Sequence, residues 1–223
     1  MLLLSADTSG KHGSIALAQC GPGKDCEVLE VVALTGGTFS AQLIPQIAAL
    51  LAKHAFGKRD IRAFTVVSGP GSFTGIRVGL AVIKALAEIL DKPIAAVSLL
   101  EAVASADGKK GRVLAALEAG RSEIYAGEYE IDANIKMLSE RLVTREEFLS
   151  AATGLQIVTP DASIIELARD AGVEIEAIER PRSDAIVRLG WEKILAGETV
   201  LPENLEANYL RRSGAELFGT LHG

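Results

Sequence analysis

The 223-residue chain has the composition of a folded globular protein, with 48% hydrophobic and 23% charged residues, which excludes disorder as its main state. Its 29 acidic and 23 basic residues give a formal net charge of −6, and this argues against a protein that binds nucleic acid alone, because such binding depends largely on lysine and arginine. No uncharged apolar run has the length of a membrane span, and no basic segment precedes the apolar first residues. We therefore expect a cytoplasmic protein without a signal peptide.

The first half of the chain predicts the order β, β, β, α, β, α, β, α. Three short strands joined by turns come first, and a helix follows from Ala41 to Phe56, where apolar residues recur at helical spacing. Pro45 marks either the start of this helix or a distorted first turn capped by Ser40. The remaining predicted elements are a strand from Phe64 to Val67, a helix from about Gly75 to Leu90, a strand from Ile94 to Val97, and a helix opened by Ser98 with Glu101.

The polar segment Gly108-Lys109-Lys110-Gly111 is the best candidate boundary, and it divides the chain into lobes of residues 1–107 and 108–223. Beyond it we predict strands over Arg112–Leu117, Glu123–Glu130 and Val173–Ala177, helices opened by Thr144 with Glu147 and by Ser163 with Glu166, and a last helix from about Asp184 to Ala196. Because each half begins with consecutive strands, two related α/β lobes fit the pattern better than one doubly wound sheet.

A glycine-rich loop between a strand and a helix is the most distinctive segment, and it reads Gly69-Pro70-Gly71-Ser72-Phe73-Thr74-Gly75-Ile76-Arg77-Val78-Gly79. Backbone N–H groups in such a position can bind an anion, but the spacing matches neither a P-loop nor a dinucleotide fingerprint. The alternative is that the first two glycines permit a tight turn and the last two permit close packing. The residues alone favour this second interpretation.

The helix after this loop is apolar around most of its circumference. Its charged residues, Arg77, Lys84 and Glu88, fall on one narrow stripe at helical spacing. Either the helix is central within the monomer, or it forms part of a helix pair that binds a partner; periodicity alone leaves both interpretations open.

The sequence indicates no catalytic centre and no metal site. Its three histidines, His12, His54 and His222, are scattered, and Cys20 and Cys26 flank a turn with no matching second pair, so we expect thiols rather than ligands or a disulfide framework. No serine lies in a nucleophile elbow.

The chain resembles the TsaB (YeaZ) family of bacterial tRNA threonylcarbamoyladenosine biosynthesis proteins, a glycoprotease-like family. The glycine-rich loop carries most of the resemblance, and weaker matches run through most of the chain: Ala6-Asp7-Thr8-Ser9, Ser40 with Leu43-Ile44-Pro45, Val97-Ser98 with Leu100-Glu101-Ala102, Glu123-Ile124-Tyr125 and Tyr209-Leu210-Arg211. The sequence departs from the family at Phe39, where a histidine is usual, and at Glu118-Ala119-Gly120, where Asp-Ala-Arg is usual.

The resemblance implies an α/β, actin-like/Hsp70-like (ASKHA) ATPase fold of two ribonuclease-H-like lobes, without protease activity. It implies a non-catalytic subunit that pairs with a catalytic paralogue, TsaD, and an ATPase, TsaE. This complex transfers threonylcarbamoyl to the adenosine beside the anticodon of ANN-decoding tRNAs. The subunit reaches tRNA through the complex rather than alone, and it pairs with itself when isolated.

The resemblance also implies roles for particular residues. The pairing surface is a helix pair in the first lobe, corresponding here to Leu43, Ile47, Leu50, Leu51, Val78, Val82, Ala85 and Leu86. Asp7, Thr8 and Thr74 correspond to a vestigial phosphate site whose present use is to stabilise turns by hydrogen bonds. No cofactor is expected, apart from weak nucleotide binding or a nucleotide shared at a subunit interface.

Two other functions compete with this hypothesis. A nucleotide-dependent kinase or ATPase on the same fold needs closely spaced glycines in the second lobe, where the chain has Val158-Thr159-Pro160-Asp161-Ala162 instead. A glycopeptidase needs a metal or a nucleophile, and the sequence indicates neither.

Overall fold

The computed structural model describes residues 1–23, 25–35, 37–106 and 108–210. Its elements are β1 (Leu2–Asp7), β2 (His12–Cys20), β3 (Cys26–Thr35), α1 (Phe39–Lys53), β4 (Ile61–Gly69), α2 (Phe73–Leu90), β5 (Ile94–Ser98), α3 (Leu99–Ala104), β6 (Gly111–Gly120), β7 (Glu123–Ile131), β8 (Ile135–Thr144), α4 (Arg145–Ala151), β9 (Gln156–Thr159), α5 (Ala162–Asp170), β10 (Glu176–Ala177) and α6 (Ser183–Leu195). None of the helices in these ranges is long and apolar enough to cross a membrane.

The first sheet has the strand order β3-β2-β1-β4-β5, in which β1 runs antiparallel to β2 and parallel to β4. Alternate side chains of β1 point to opposite sides, so Leu4 joins the core beneath α1 and α2 while Leu3 packs against Val187 and Trp191 of α6. Helices therefore cover both sides of this sheet.

The second sheet has the order β10-β9-β6-β7-β8. One side packs against α4 and α5, where Phe148 and Ile164 are buried with Leu114. The other side packs against α3, whose Leu100 lies in one cluster with Val113 and Tyr129. The short helix α3 thus fills the space between the two sheets.

The chain returns to the first sheet after it completes the second. Helix α6 covers one side of the first sheet, where the hydroxyls of Ser183 and Ser14 lie 2.9 Å apart. The segment Val200–Leu210, hereafter the strap, then pairs with Ile94 at Val200 and buries Leu205 in the core beneath α2. The division of the chain into lobes after residue 107 stays a prediction. Each sheet packs against elements from both sides of that boundary, because α6 covers the first sheet and α3 the second.

The predicted order of the first half is confirmed, with differences at helix starts and in weak strands. Helix α1 begins at Phe39, so Ser40 is not its cap and Pro45 lies inside the helix. Helix α4 begins as predicted, with a reciprocal capping box between Thr144 and Glu147. Helix α5 begins at Ala162, after Asp161 at the N-cap position, whose side chain makes no capping hydrogen bond, and Ser163 therefore lies inside the helix.

The strand predictions in the second half were incomplete. The strand predicted over Val173–Ala177 is reduced to β10, and β8 and β9 were not predicted at all. Residues 211–223 of the predicted second lobe, with His222 and Arg211, lie outside the described residues.

The prediction that Cys20 and Cys26 are thiols is wrong, because the structure joins them in a disulfide. They stand opposite each other in the register of β2 and β3, with Cα atoms 4.0 Å apart. The hairpin register that brings them together was not available from their spacing.

Candidate functional site

The glycine-rich loop is packed tightly against the turn that follows β1. A Cβ atom on Gly75 would lie 2.0 Å from the carbonyl oxygen of Thr8, and one on Gly79 would lie 2.4 Å from the Thr8 hydroxyl oxygen. The amide of Ser72 donates a hydrogen bond of 2.7 Å to the carbonyl oxygen of Ser9. The close-packing role predicted for the last two glycines is confirmed.

Two of the three residues assigned to a vestigial phosphate site are buried and bonded within the chain. Asp7 Oδ1 accepts hydrogen bonds from the amide of Ser9 at 2.8 Å and its hydroxyl at 2.6 Å. Burial raises the pKa of Asp7, although these bonds and Arg180 oppose the shift. The Thr8 hydroxyl donates to the carbonyl oxygen of Gly75 at 2.7 Å. Only Thr74, in the first turn of α2, is exposed.

A cleft of about 770 Å³ lies beside this loop, lined by residues from the neighbourhood of both sheets, including Lys11, Thr74, Glu118, Asp161 and Arg180. The Asp161 carboxylate accepts from the amide of Glu118 at 2.7 Å and lies 3.7 Å from Arg180 Nη1. Asp161 and Arg180 are therefore engaged by groups within the chain. Asp161 is the member of the segment Val158–Ala162 that lines the cleft, and it lies where β9 is followed by α5.

The structure divides the predicted pairing surface, because the helix α1 residues named for it are core. Leu43, Ile47, Leu50 and Leu51 are all buried against the first sheet and α2. The prediction placed the wrong side of α1 at the surface: its exposed side carries Ala41, Ile44, Pro45, Ala48, Ala49 and Ala52. Both sides of the helix are apolar, so periodicity did not distinguish them.

Helix α2 contributes the other half of the surface. Val78, Val82 and Leu86 are half-buried, and Ala85 is exposed. Exposed residues also recur at four-residue spacing along one row, which is the spacing of the ridges through which helices pack. This row consists of Phe73, Arg77, Ala81, Ala85 and Ile89.

Helices α1 and α2 lie on the same side of the first sheet, so their exposed residues point in one direction, away from the core. We call this surface the α1–α2 face, and its members are Ala41, Ile44, Pro45, Ala48, Ala49, Ala52, Val78, Ala81, Val82, Ala85 and Ile89. Ile89 is 73% and Ile44 is 48% exposed. Apolar residues exposed together on neighbouring helices are typical of interaction sites in soluble proteins.

The charged stripe of α2 binds the strap. Arg77 Nε donates a 2.9 Å hydrogen bond to the hydroxyl of Tyr209, and Lys84 Nζ lies 3.4 Å from the carbonyl oxygen of Glu203. The strap therefore runs along one side of α2, while α1 packs on the helix elsewhere. The part played by Tyr209 was not predicted, and its only sequence signal was the match of Tyr209-Leu210-Arg211 to the family.

No three His, Cys, Asp or Glu side chains come together as metal ligands within the described part of the chain. His12 lines the cleft, and the His54 ring lies 2.9 Å from the Glu30 carboxylate. The absence of a metal stays a prediction, since His222 is outside the described residues.

Known proteins resemble the chain over most of its length. A family model described as "TsaD: tRNA N6-adenosine threonylcarbamoyltransferase" matches residues 33–200. The tRNA threonylcarbamoyladenosine biosynthesis protein TsaB of Bacillus subtilis is 29% identical over 97% of this chain and 96% of its own length. The protein of the same name from Escherichia coli is 28% identical over 96% of each chain.

A solved structure shares the arrangement of the two sheets. The Pseudomonas aeruginosa protein described as uncharacterized, with similarity to peptidase YEAZ, superposes with a TM-score of 0.77 at 26% identity, covering 94% of this chain and 99% of its own. The predicted fold class is confirmed: two mixed sheets with helices, in the actin-like, ribonuclease-H-like ASKHA arrangement.

Proposed function

Because the chain belongs to the family described as TsaD, tRNA N6-adenosine threonylcarbamoyltransferase, and to the TsaB/YeaZ proteins within it, we propose that it acts in the biosynthesis of threonylcarbamoyladenosine on tRNA. Its role is that of a non-catalytic subunit, which pairs with the catalytic paralogue TsaD and is joined by the ATPase TsaE. The modified base is the adenosine beside the anticodon of ANN-decoding tRNAs. The place of action is the cytoplasm, where tRNA is processed.

The observation that carries this proposal is the α1–α2 face. Its exposed residues are apolar or small, and each Val, Leu or Ile that becomes buried is worth about 1.5–3 kcal/mol. Ile44, Ile89 and the two half-buried valines, together with the exposed alanines, therefore reach the lower end of the roughly 4–15 kcal/mol that association costs. A subunit whose function is to be held by a partner needs such a face, and the isolated chain is expected to pair with itself through it.

The state of the cleft supports a non-catalytic role. An enzyme needs polar groups that are free to act on a substrate. Here Asp161, which lines the cleft, is bonded to the Glu118 amide and lies beside Arg180. Next to the cleft, Asp7 is buried and bonded to Ser9, and Thr8 is buried and bonded to Gly75 at the start of α2. The net charge of −6 supports contact with tRNA through the complex rather than by this chain alone.

The test combines this chain with its candidate catalytic paralogue and the ATPase. Co-purification should give a stable complex, and tRNA modification should require all three proteins. Ala85→Asp places a carboxylate on the α1–α2 face without disturbing a buried side chain, and it should reduce pairing and modification together. Leu138→Asp is the matched control, because Leu138 is exposed on β8 of the second sheet, outside the face. Modification that proceeds equally without this chain would refute the proposal.

A nucleotide-dependent kinase or ATPase is the second candidate, and the cleft of about 770 Å³ beside the glycine-rich loop favours it. The bonds that occupy Thr8, Ser9 and Asp161 oppose it, and we expect weak or no ATP binding by the isolated chain. Calorimetry with ATP distinguishes the candidates: tight stoichiometric binding by the chain alone supports the enzyme. Binding that appears only in the complex indicates a nucleotide shared at a subunit interface.

A further inference from the structure

An exposed cation stacked on an aromatic ring stands at one end of the α1–α2 face. The guanidinium carbon of Arg77 lies 3.6 Å above the centre of the Phe73 ring and 5.8 Å from the centre of the Tyr209 ring. The two rings are 5.0 Å apart, and each side chain is about 40% exposed. A cation held over aromatic rings at this distance is attracted by their π-electrons.

The stack leaves the outer part of the guanidinium available. Arg77 Nε is used by the hydroxyl of Tyr209, and no acceptor for the two terminal nitrogens is found within the described residues. Arg77 itself is exposed. These two nitrogens form the planar fork that binds carboxylates and phosphates through paired hydrogen bonds.

Contacts within the chain already hold the Arg77 side chain in place without a partner. A free arginine side chain loses conformational entropy when an interface immobilises it, and this loss weakens binding. Here the ring of Phe73 fixes the plane of the guanidinium, and Tyr209, which is 132 residues further along the chain, fixes its direction. A cation prepared in this way is typical of a residue that dominates an interface, where arginine and tyrosine are enriched.

We propose that Arg77 binds a carboxylate of the protein that pairs with the α1–α2 face, and that Tyr209 is the residue that positions it. This inference rests on the proposed function, and the occupant is the catalytic paralogous subunit. Arg77 lies in the same row as Ala81, Ala85 and Ile89, so a partner that covers those residues also approaches its terminal nitrogens. The small side chains of Ala81 and Ala85 allow that approach to be close, which excludes water and strengthens the ion pair.

A protein carboxylate fits this position better than an RNA phosphate. RNA surfaces need several cations that act together, whereas Lys84, the other cation of α2, already faces the strap carbonyl of Glu203. The neighbouring residues of the row are apolar, as in the buried centre of a protein interface. Opposite charge at a single point of an apolar face gives specificity to the choice of partner.

The experiment measures the dissociation constant of the complex with the catalytic paralogue, by calorimetry, over a series of salt concentrations. Arg77→Gln should weaken pairing about 30-fold or more, since it leaves the partner's carboxylate unpaired, and should flatten the salt dependence. Arg77→Lys keeps the charge but loses the planar fork, so it should restore pairing only in part. Tyr209→Phe keeps the ring and removes the acceptor of Arg77 Nε, and it should weaken pairing about 3- to 10-fold.

Arg112→Gln removes the same charge from an exposed site on β6 and should leave pairing unchanged. Wild-type affinity and salt dependence in Arg77→Gln, together with loss of pairing in Ala85→Asp, would overturn this inference and leave the proposed function standing. Unchanged pairing in both variants would refute the proposed function as well. Normal pairing with weakened tRNA binding by the Arg77→Gln complex would overturn the inference by identifying a phosphate as the ligand.

Discussion

The cleft beside the glycine-rich loop and the α1–α2 face adjoin at Val78 of α2, and they differ in which of their groups are already bonded. In the cleft, the turn after β1 packs against the start of α2 so closely that Gly75 and Gly79 have no room for a side chain. Asp161 of the cleft bonds to the Glu118 amide and lies beside Arg180. On the face, small and apolar residues are exposed, and the described chain does not cover them.

The difference supports a function that uses the α1–α2 face rather than the cleft. Groups beside the cleft bond within the chain, whereas the face exposes apolar side chains whose burial against a partner would favour binding.

Gly75→Ala should break the packing of the cleft. Its new Cβ would meet the Thr8 carbonyl oxygen at 2.0 Å, and because backbone cannot move aside cheaply we expect a loss of about 3 kcal/mol in the free energy of unfolding. Urea unfolding measures it. Gly21→Ala is the control, since nothing lies within 4 Å of a Cβ there and its φ is ordinary. If both variants are equally stable, the loop is looser than described.

Leu43 and Ile44 are neighbours on α1, and they separate core from face. Leu43 is fully buried, so Leu43→Ala should cost about 3 kcal/mol of stability without a specific effect on pairing. Ile44 is 48% exposed, so Ile44→Asp should cost little stability and about 2 kcal/mol of pairing energy, or about 30-fold in affinity. Thermal unfolding and analytical ultracentrifugation give the two readouts. If Leu43→Ala weakened pairing specifically and Ile44→Asp did not, the pairing surface would be the side of α1 that carries Leu43.

Asp7→Asn should have the smallest effect, and it should increase the free energy of unfolding rather than decrease it. Both hydrogen bonds from Ser9 end on Oδ1, which asparagine retains, while burial raises the pKa of the folded carboxyl above its ordinary value. The unfolded chain ionises Asp7 at that ordinary value, so the wild type loses stability as pH rises from there through the folded pKa. The variant should therefore be more stable by about 1 kcal/mol at pH 7, and the gain should shrink towards pH 4.

Urea unfolding at both pH values measures this difference. A destabilised variant at pH 7 would mean that the charge of Asp7 is needed, through Arg180 or through a ligand of the cleft.

The sequence predicted the elements whose signal is local and strong. Strands β1 to β5 are short apolar or β-rich runs, the first three of them joined by turns, and their places were predicted correctly, as was that of α2, which is apolar around most of its circumference. Strand β8 gave no signal, because it lies at a sheet edge and Val143 is its one buried residue. An edge strand that faces solvent lacks the alternation on which prediction depends.

The candidate site was harder to predict because its contacts are distant in sequence. Periodicity showed that Leu43, Ile47 and Leu50 share a side of α1, but the opposite side is also apolar, so the pattern could not show which side met the sheet. The contact between Arg77 and Tyr209 joins residues 132 positions apart, and local spacing carries no information about such a pair.

The return of α6 to the first sheet has a consequence for synthesis of the chain. When the ribosome has released the first hundred residues, one side of that sheet still lacks the helix that carries Val187 and Trp191. Leu3, Ala18 and Ala63 would then stand open to water or to a chaperone. The first sheet therefore cannot bury these residues until α6, Ser183–Leu195, has been synthesised.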